Sequence, residues 1–245
     1  MNYSYQDFWK LRGTSAFWLT THFGYRPGAV IACLAARMGL SPNMLSLLSL
    51  FTACAALAPL LAADWPHEAE GAWLAGFLLL AFWLDCADGV LARGTGKGSS
   101  FGAAFDKTID MTVAVLCGSV LGVMALGSQS WWISEKWQAV VLPLSLVPRA
   151  ALTSLNWLKD AQLHQTNRLR EYTPPTTLFG KAKRVAGNLF DDITLRLGAG
   201  AAWAAGCYWE FALVANSIVM VLLIGYLMTS KRDFDEFDRK NAGSL

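Results

Sequence analysis

Asp85-Cys86-Ala87-Asp88-Gly89-Val90-Leu91-Ala92-Arg93 and, after eight intervening residues, Gly102-Ala103-Ala104-Phe105-Asp106-Lys107-Thr108-Ile109-Asp110 place four aspartates in otherwise apolar sequence. An ionised carboxylate at the centre of a bilayer costs about 2.5–3.5 kcal/mol on insertion scales. Four in one neighbourhood need a shared compensating charge, and a divalent cation supplies it most simply. Asp85 and Asp88 are three residues apart and Asp106 and Asp110 four apart, so on helices each pair shares a face. The intervening run from Gly94 to Ser100 is short and glycine-rich. It can return the chain antiparallel and set the two pairs opposite each other.

Composition agrees with a membrane protein. Of 245 residues, 54% are hydrophobic and only 16% charged, against about 25% charged in soluble domains. The mean hydropathy is +0.35. A net charge of +2, with no basic cluster interleaved with aromatics, excludes a nucleic-acid partner. Cys33, Cys54, Cys86, Cys117 and Cys207 lie scattered in apolar segments without metal or disulfide spacing, and read as small buried hydrophobes. His22, His67 and His164 are isolated from one another and read as surface residues. Residues 1–10 carry Asp7 and several aromatics instead of the basic start and apolar core of a signal peptide.

The chain is expected to be all-α and polytopic, with six transmembrane helices at residues 44–63, 72–92, 103–126, 137–157, 193–209 and 211–228, each long enough for a roughly 30 Å hydrocarbon core. Residues 1–40 are too interrupted to span and suit amphipathic helices lying at the interface. Three parts follow: juxtamembrane helices over 1–40, a six-helix domain over 41–230, and a tail over 231–245 with the solvated acidic patch 233–238. Lys and Arg cluster before the first span, after the second, between the fourth and fifth, and after the sixth. The opposite loops hold Asp64, Glu68, Glu70, Glu135 and Glu210 against Lys136 alone. By the positive-inside rule both termini and the aspartates face the cytoplasm, across what reads as a bacterial inner membrane.

Oxygen-only ligands without nearby His or thiolate pairs favour Mg²⁺ or Mn²⁺ over zinc. Cys86 points away from the acidic face. Gly89, Ala92 and Gly102 leave room for a base or diphosphate against the helix backbone, and Arg93 can grip phosphate oxygens with two donors. Two metals and an arginine around a diphosphate suit displacement at phosphorus. An intramembrane cation transporter would also use such acids, but would gain nothing from an arginine beside its ion. A prenyltransferase with aspartate-rich helices and a scaffold carrying a relic motif are further alternatives.

Asp85-x2-Asp88-Gly89-x2-Ala92-Arg93-x8-Gly102-x3-Asp106-x3-Asp110 resembles the complete signature of the CDP-alcohol phosphotransferase (CDP-alcohol phosphatidyltransferase) family. Ser41-Pro42-Asn43 is similar to the family's entry to its first span. Gly180-Lys181-Ala182-Lys183 is similar to its Gly-Lys-x-Lys element, and Arg149 sits where many members carry an arginine facing the acceptor pocket. The resemblance implies that Asp85, Asp88, Asp106 and Asp110 hold two Mg²⁺ ions on the diphosphate of a CDP-linked lipid such as CDP-diacylglycerol. Asn43, Gly89, Ala92, Arg93 and Gly102 would line the cytidine and phosphate site, with Arg149 and Lys181 assigned to binding nearby. Asp110 would take the proton of a small alcohol or alcohol-phosphate acceptor as it displaces CMP, a step of phospholipid biosynthesis. Transfer of a CDP-activated headgroup to diacylglycerol would use the same motif. A homodimer is also implied. Glycerol phosphate, inositol or its phosphate, serine and choline stay open as acceptors. Arg149 and Arg196 are cations in apolar segments, suited to snorkelling, to pairing with a motif acid, or to receiving an anionic acceptor. The run from Lys181 to Arg184 suits the same pocket or, as is commoner for such runs, an anchor of the loop to anionic lipid.

Overall fold

The structure is a computed structural model describing residues 3–12, 18–61, 67–126 and 192–242, with isolated positions between 130 and 158. Every regular element among these residues is helical. A first short helix, α1 (Tyr5–Lys10), opens with a capping box. The Asp7 N–H donates to the Ser4 hydroxyl at 3.3 Å, and the Asp7 carboxylate accepts from the Ser4 N–H and hydroxyl at 3.2 and 2.6 Å. These bonds hold the Asp7 carboxyl below its usual range. A π-helical turn, Thr20–Gly24, leads into α2 (Tyr25–Arg37). Gly39, at φ 74°, ends α2. Leu40 N–H reaches Ala35 O and Gly39 N–H reaches Ala36 O, the paired closure that a left-handed residue allows.

The apolar runs form the long helices. Ser41 caps α3 (Pro42–Ala56), whose proline occupies the first turn, where its missing N–H costs nothing. A short α4 (Ala58–Leu61) follows. α5 (His67–Thr95) and α6 (Ser100–Met124) are joined by residues 96–99, with Gly96 at φ 67° making the turn and Ser99 capping α6. α7 (Asp192–Ala204) and α8 (Tyr208–Ala242) meet at a corner where Gly206, at φ 66°, repeats the closure seen at Gly39.

α5 is the central helix, packed by α3, α7 and α2. The main core joins α3, α5, α6 and the α7–α8 corner through Leu57, Leu74, Leu78, Val113, Leu121, Trp203 and Trp209. A second core ties α1 and α2 to α5 through Phe8, Ala29, Ala32, Leu84 and Leu91. Small residues permit both approaches: a Cβ on Gly28 would stand 3.0 Å from Cys86, and one on Gly71 would stand 2.4 Å from the Gly200 carbonyl.

Among the described residues, four helical stretches are long and apolar enough to cross a membrane: Pro42–Leu60, Glu68–Thr95, Ser100–Met124 and Tyr208–Gly225. They coincide with the expected first, second, third and sixth spans. Two thirds of the expected fourth span lies outside the described residues. The expected fifth coincides with α7, whose described 13 residues fall short of the roughly 20 a crossing needs. Gly206 stops that helix before 209. The expected boundary at 230 falls inside α8, which runs on to Ala242.

Candidate active site

The two acidic pairs meet across the α5–α6 hairpin. Asp85 lies within hydrogen-bonding reach of Asp110, and Asp88 of Asp106. That pairing is an antiparallel register, produced by the four-residue link. One carboxylate oxygen from each of Asp85, Asp88 and Asp106 lies within 4.8 Å of the others, so a single hard cation can be reached by all three. Asp110 stands beside this trio. Its Oδ2 accepts from Lys107 Nζ at 2.8 Å, and the same ammonium lies 3.3 Å from Asp106 Oδ2. Ser46, on α3, donates its hydroxyl to Asp88. Asp88 is only 5% exposed, so this bond is made away from water. One lysine does not offset four carboxylates, and an all-oxygen donor set suits a divalent cation of the Mg²⁺ type.

Beside the acids opens a cavity of about 260 Å³, bounded by the N-terminus of α3, the end of α5, the link and the start of α6. Asn43, Asp88, Gly89, Ala92, Arg93, Gly102 and Asp106 line it, together with Pro42, Ser46, Lys97, Gly98, Ser99 and Ala103. A Cβ on Gly102 would stand 3.1 Å from Ser99 Oγ and 3.2 Å from Asn43 Oδ1. A side chain there would press both polar groups back by a few tenths of an ångström from the start of α6. Arg93 donates Nε–H to the Leu11 carbonyl at 2.6 Å, and its terminal nitrogens lie over Gly89. Tyr25 packs beside Cys86, and burial pushes its phenol up to about 12, so it stays a neutral hydroxyl.

Residues 39–189 match the model of the CDP-alcohol phosphatidyltransferase family, which is more than half of the chain. The chain belongs to that family. An archaetidylinositol phosphate synthase of Pyrococcus horikoshii is 36% identical over 90 residues, 36% of this chain and 44% of that protein. A CDP-diacylglycerol–serine O-phosphatidyltransferase of Encephalitozoon cuniculi is 40% identical over 85 residues, 33% of this chain and 22% of that protein. The chain thus spans less than half the length of either relative in the matched region. Family membership and the four apolar helices make this phosphatidyltransferase-family chain an integral membrane protein.

The structure brings together eight of the eleven residues singled out from sequence for binding or metal, with Asp110 adjoining through Asp85 and Lys107. Arg149 and Lys181 lie outside the described residues, as does the basic run that follows Lys181. Arg196 is described and donates to the Leu78 carbonyl at 3.2 Å, with its guanidinium 5.3 Å over the Phe82 ring. It pairs with backbone there, not with a motif acid. Cys86 faces Gly24 and Gly28, away from the acids. Ser46 and Lys107 escaped the sequence reading, although Ser46 stands three residues from Asn43 and Lys107 three from Asp110, on the same helix faces.

Proposed function

We propose that this protein transfers a phosphatidyl group from a CDP-linked lipid of the CDP-diacylglycerol type to the hydroxyl of a small alcohol or alcohol phosphate, releasing CMP. The observation that carries the reading is the convergence of three carboxylates on one point at the wall of a cavity that also holds Arg93, Asn43 and Gly102. Asp85, Asp88, Asp106 and Asp110 would hold two Mg²⁺ ions. Such ions screen a diphosphate and polarise its phosphorus–oxygen bonds. Ser46 fixes Asp88 from behind. The terminal nitrogens of Arg93 bind phosphate oxygens, and Gly89, Ala92 and Gly102 let the nucleotide lie against backbone beside Asn43. Asp110 accepts the acceptor's hydroxyl proton while the new oxygen–phosphorus bond forms and the bond to CMP breaks. Lys107, bonded to Asp110, keeps that carboxylate turned toward α5. Arg149 and Lys181 are proposed to bind substrate from the part of the chain that follows.

The reading extends to the whole molecule. Six spans, interfacial helices over residues 1–40, a catalytic domain over 41–230, a tail beyond it, a homodimer, and termini and site on the cytoplasmic face all accord with the family and the basic-residue asymmetry. The names of the two relatives favour inositol phosphate and serine as the first acceptors to try.

The test is CMP release by the purified protein given CDP-diacylglycerol, Mg²⁺ and a panel of alcohols. Turnover with one acceptor, abolished by EDTA and by Asp110→Asn, is expected. No CMP with any acceptor would remove the reaction; full turnover by Asp110→Asn would remove the base.

A further inference from the structure

The segment 3–12 precedes the motif by some eighty positions, yet it closes on the motif's end. Phe8 is 1% exposed; a Cβ placed on Gly94 would stand 2.3 Å from its ring. The segment is fastened on its other side by α2, where Arg37 and Cys33 both donate to the Tyr3 carbonyl. Leu11 ends α1. The last carbonyls of a helix have no partner within it, and the Leu11 carbonyl takes Nε–H of Arg93 at 2.6 Å. A guanidinium offers two donor edges, one including Nε and one made by the two terminal amino groups. With Nε engaged, the amino edge is the one left for the cavity wall over Gly89.

We propose that the N-terminal arm, residues 3–12, is a positioning element of the phosphate-binding side of the cavity, holding Arg93 by Nε so that its amino edge meets the diphosphate of a CDP-linked substrate. This rests on the reading of Arg93 given above. The arm touches no substrate and acts through Arg93. An arginine fixed in advance loses less freedom on binding phosphate than a free one. Phe8 supplies the anchor.

The experiment is titration of CDP, with Mg²⁺ present, into the full-length protein and its variants. Phe8→Ala is expected to weaken CDP about tenfold, the scale of one charge-assisted hydrogen bond. Phe8→Leu, which refills the space beside Gly94, should stay within about twofold of the parent. In an Arg93→Ala background Phe8→Ala should add less than about twofold, because its route is already gone. Unchanged affinity in Phe8→Ala, or an equal loss with and without Arg93, overturns the positioning role alone. Unchanged affinity in Arg93→Ala overturns both that role and the phosphate clamp. If Phe8→Ala does not fold, Gly94→Ala displaces the ring from the other side and is held to the same outcomes.

Discussion

Ser46 and Lys107 show how much of the acidic site depends on side chains outside the motif. Ser46 donates to Asp88 from a helix that otherwise reads as an uninterrupted span. Groups that orient a metal ligand typically change metal affinity about 10–100-fold when removed. Ser46→Ala should therefore raise the Mg²⁺ concentration for half-maximal CMP release at least about tenfold, with turnover at saturating Mg²⁺ little changed. A Mg²⁺ titration checks this, and an unshifted midpoint would make Ser46 a packing residue only. Lys107 has a different effect. It is the ammonium bonded to Asp106 and Asp110, so Lys107→Met leaves those carboxylates facing one another. Half-exposed pairs are worth about 1 kcal/mol or less. The melting temperature should fall by a few degrees in EDTA and by less in Mg²⁺, where added cations relieve the repulsion. Equal losses in both would refute that account. The acids were legible because their spacing fixes a face. Ser46 was not, because its partner Asp88 lies on another helix, which no periodicity reports. Lys107 shares a face with Asp110 at i,i+3, but spacing alone does not say that the ammonium turns to the acids and not to the headgroups.

At the scale of elements, hydropathy located α3, α5, α6 and α8, since roughly twenty apolar residues leave few alternatives to a helix. It did not foresee that α1, the π-helical turn and α2 pack on α5. Gly24 and Gly28 permit this by bringing the backbone near α2 within contact of Phe82, Cys86 and Ala87, a closeness that composition does not encode. The α5–α7 crossing follows the same logic. Cβ atoms on Gly71 and Gly200 would each meet opposing backbone at 2.4–2.6 Å, so the two helices touch main chain to main chain, as small residues allow in membranes. Gly71→Ala or Gly200→Ala should force the helices apart and cost about 1–3 kcal/mol. Gly76, which has nothing within 4 Å of its Cβ position, is the control. There alanine should be neutral or stabilising by up to about 1 kcal/mol through helix propensity. Thermal unfolding in detergent distinguishes them, and matching losses at 71 and 76 would remove close packing as the cause.

At the scale of the whole molecule, the two ends of the bundle carry opposite chemistry. The cavity marks the first end, where α3 begins, α5 ends and α6 begins. The α7–α8 corner marks the other: Trp203 donates to Glu70 near the start of α5, and Trp209 donates to the Ala125 carbonyl just past the end of α6. α8 therefore sets out from the far end. Arg93 and Lys97 lie where the nucleotide would enter, and Glu68, Glu70 and Glu210 at the opposite end. Since Lys and Arg excess marks the cytoplasmic side, Gly98 in the α5–α6 link should face the cytoplasm and Gly206 the outside. In a cysteine-free background expressed in a bacterial host, a membrane-impermeant maleimide should label Gly206→Cys in intact spheroplasts and Gly98→Cys only after permeabilisation. Labelling in the reverse order would turn the molecule over, and would place the acidic site on the side where cytosolic nucleotide cannot reach it. That outcome would set the proposed reaction against the topology, because CMP released at such a site could not return directly to the pool that makes its donor.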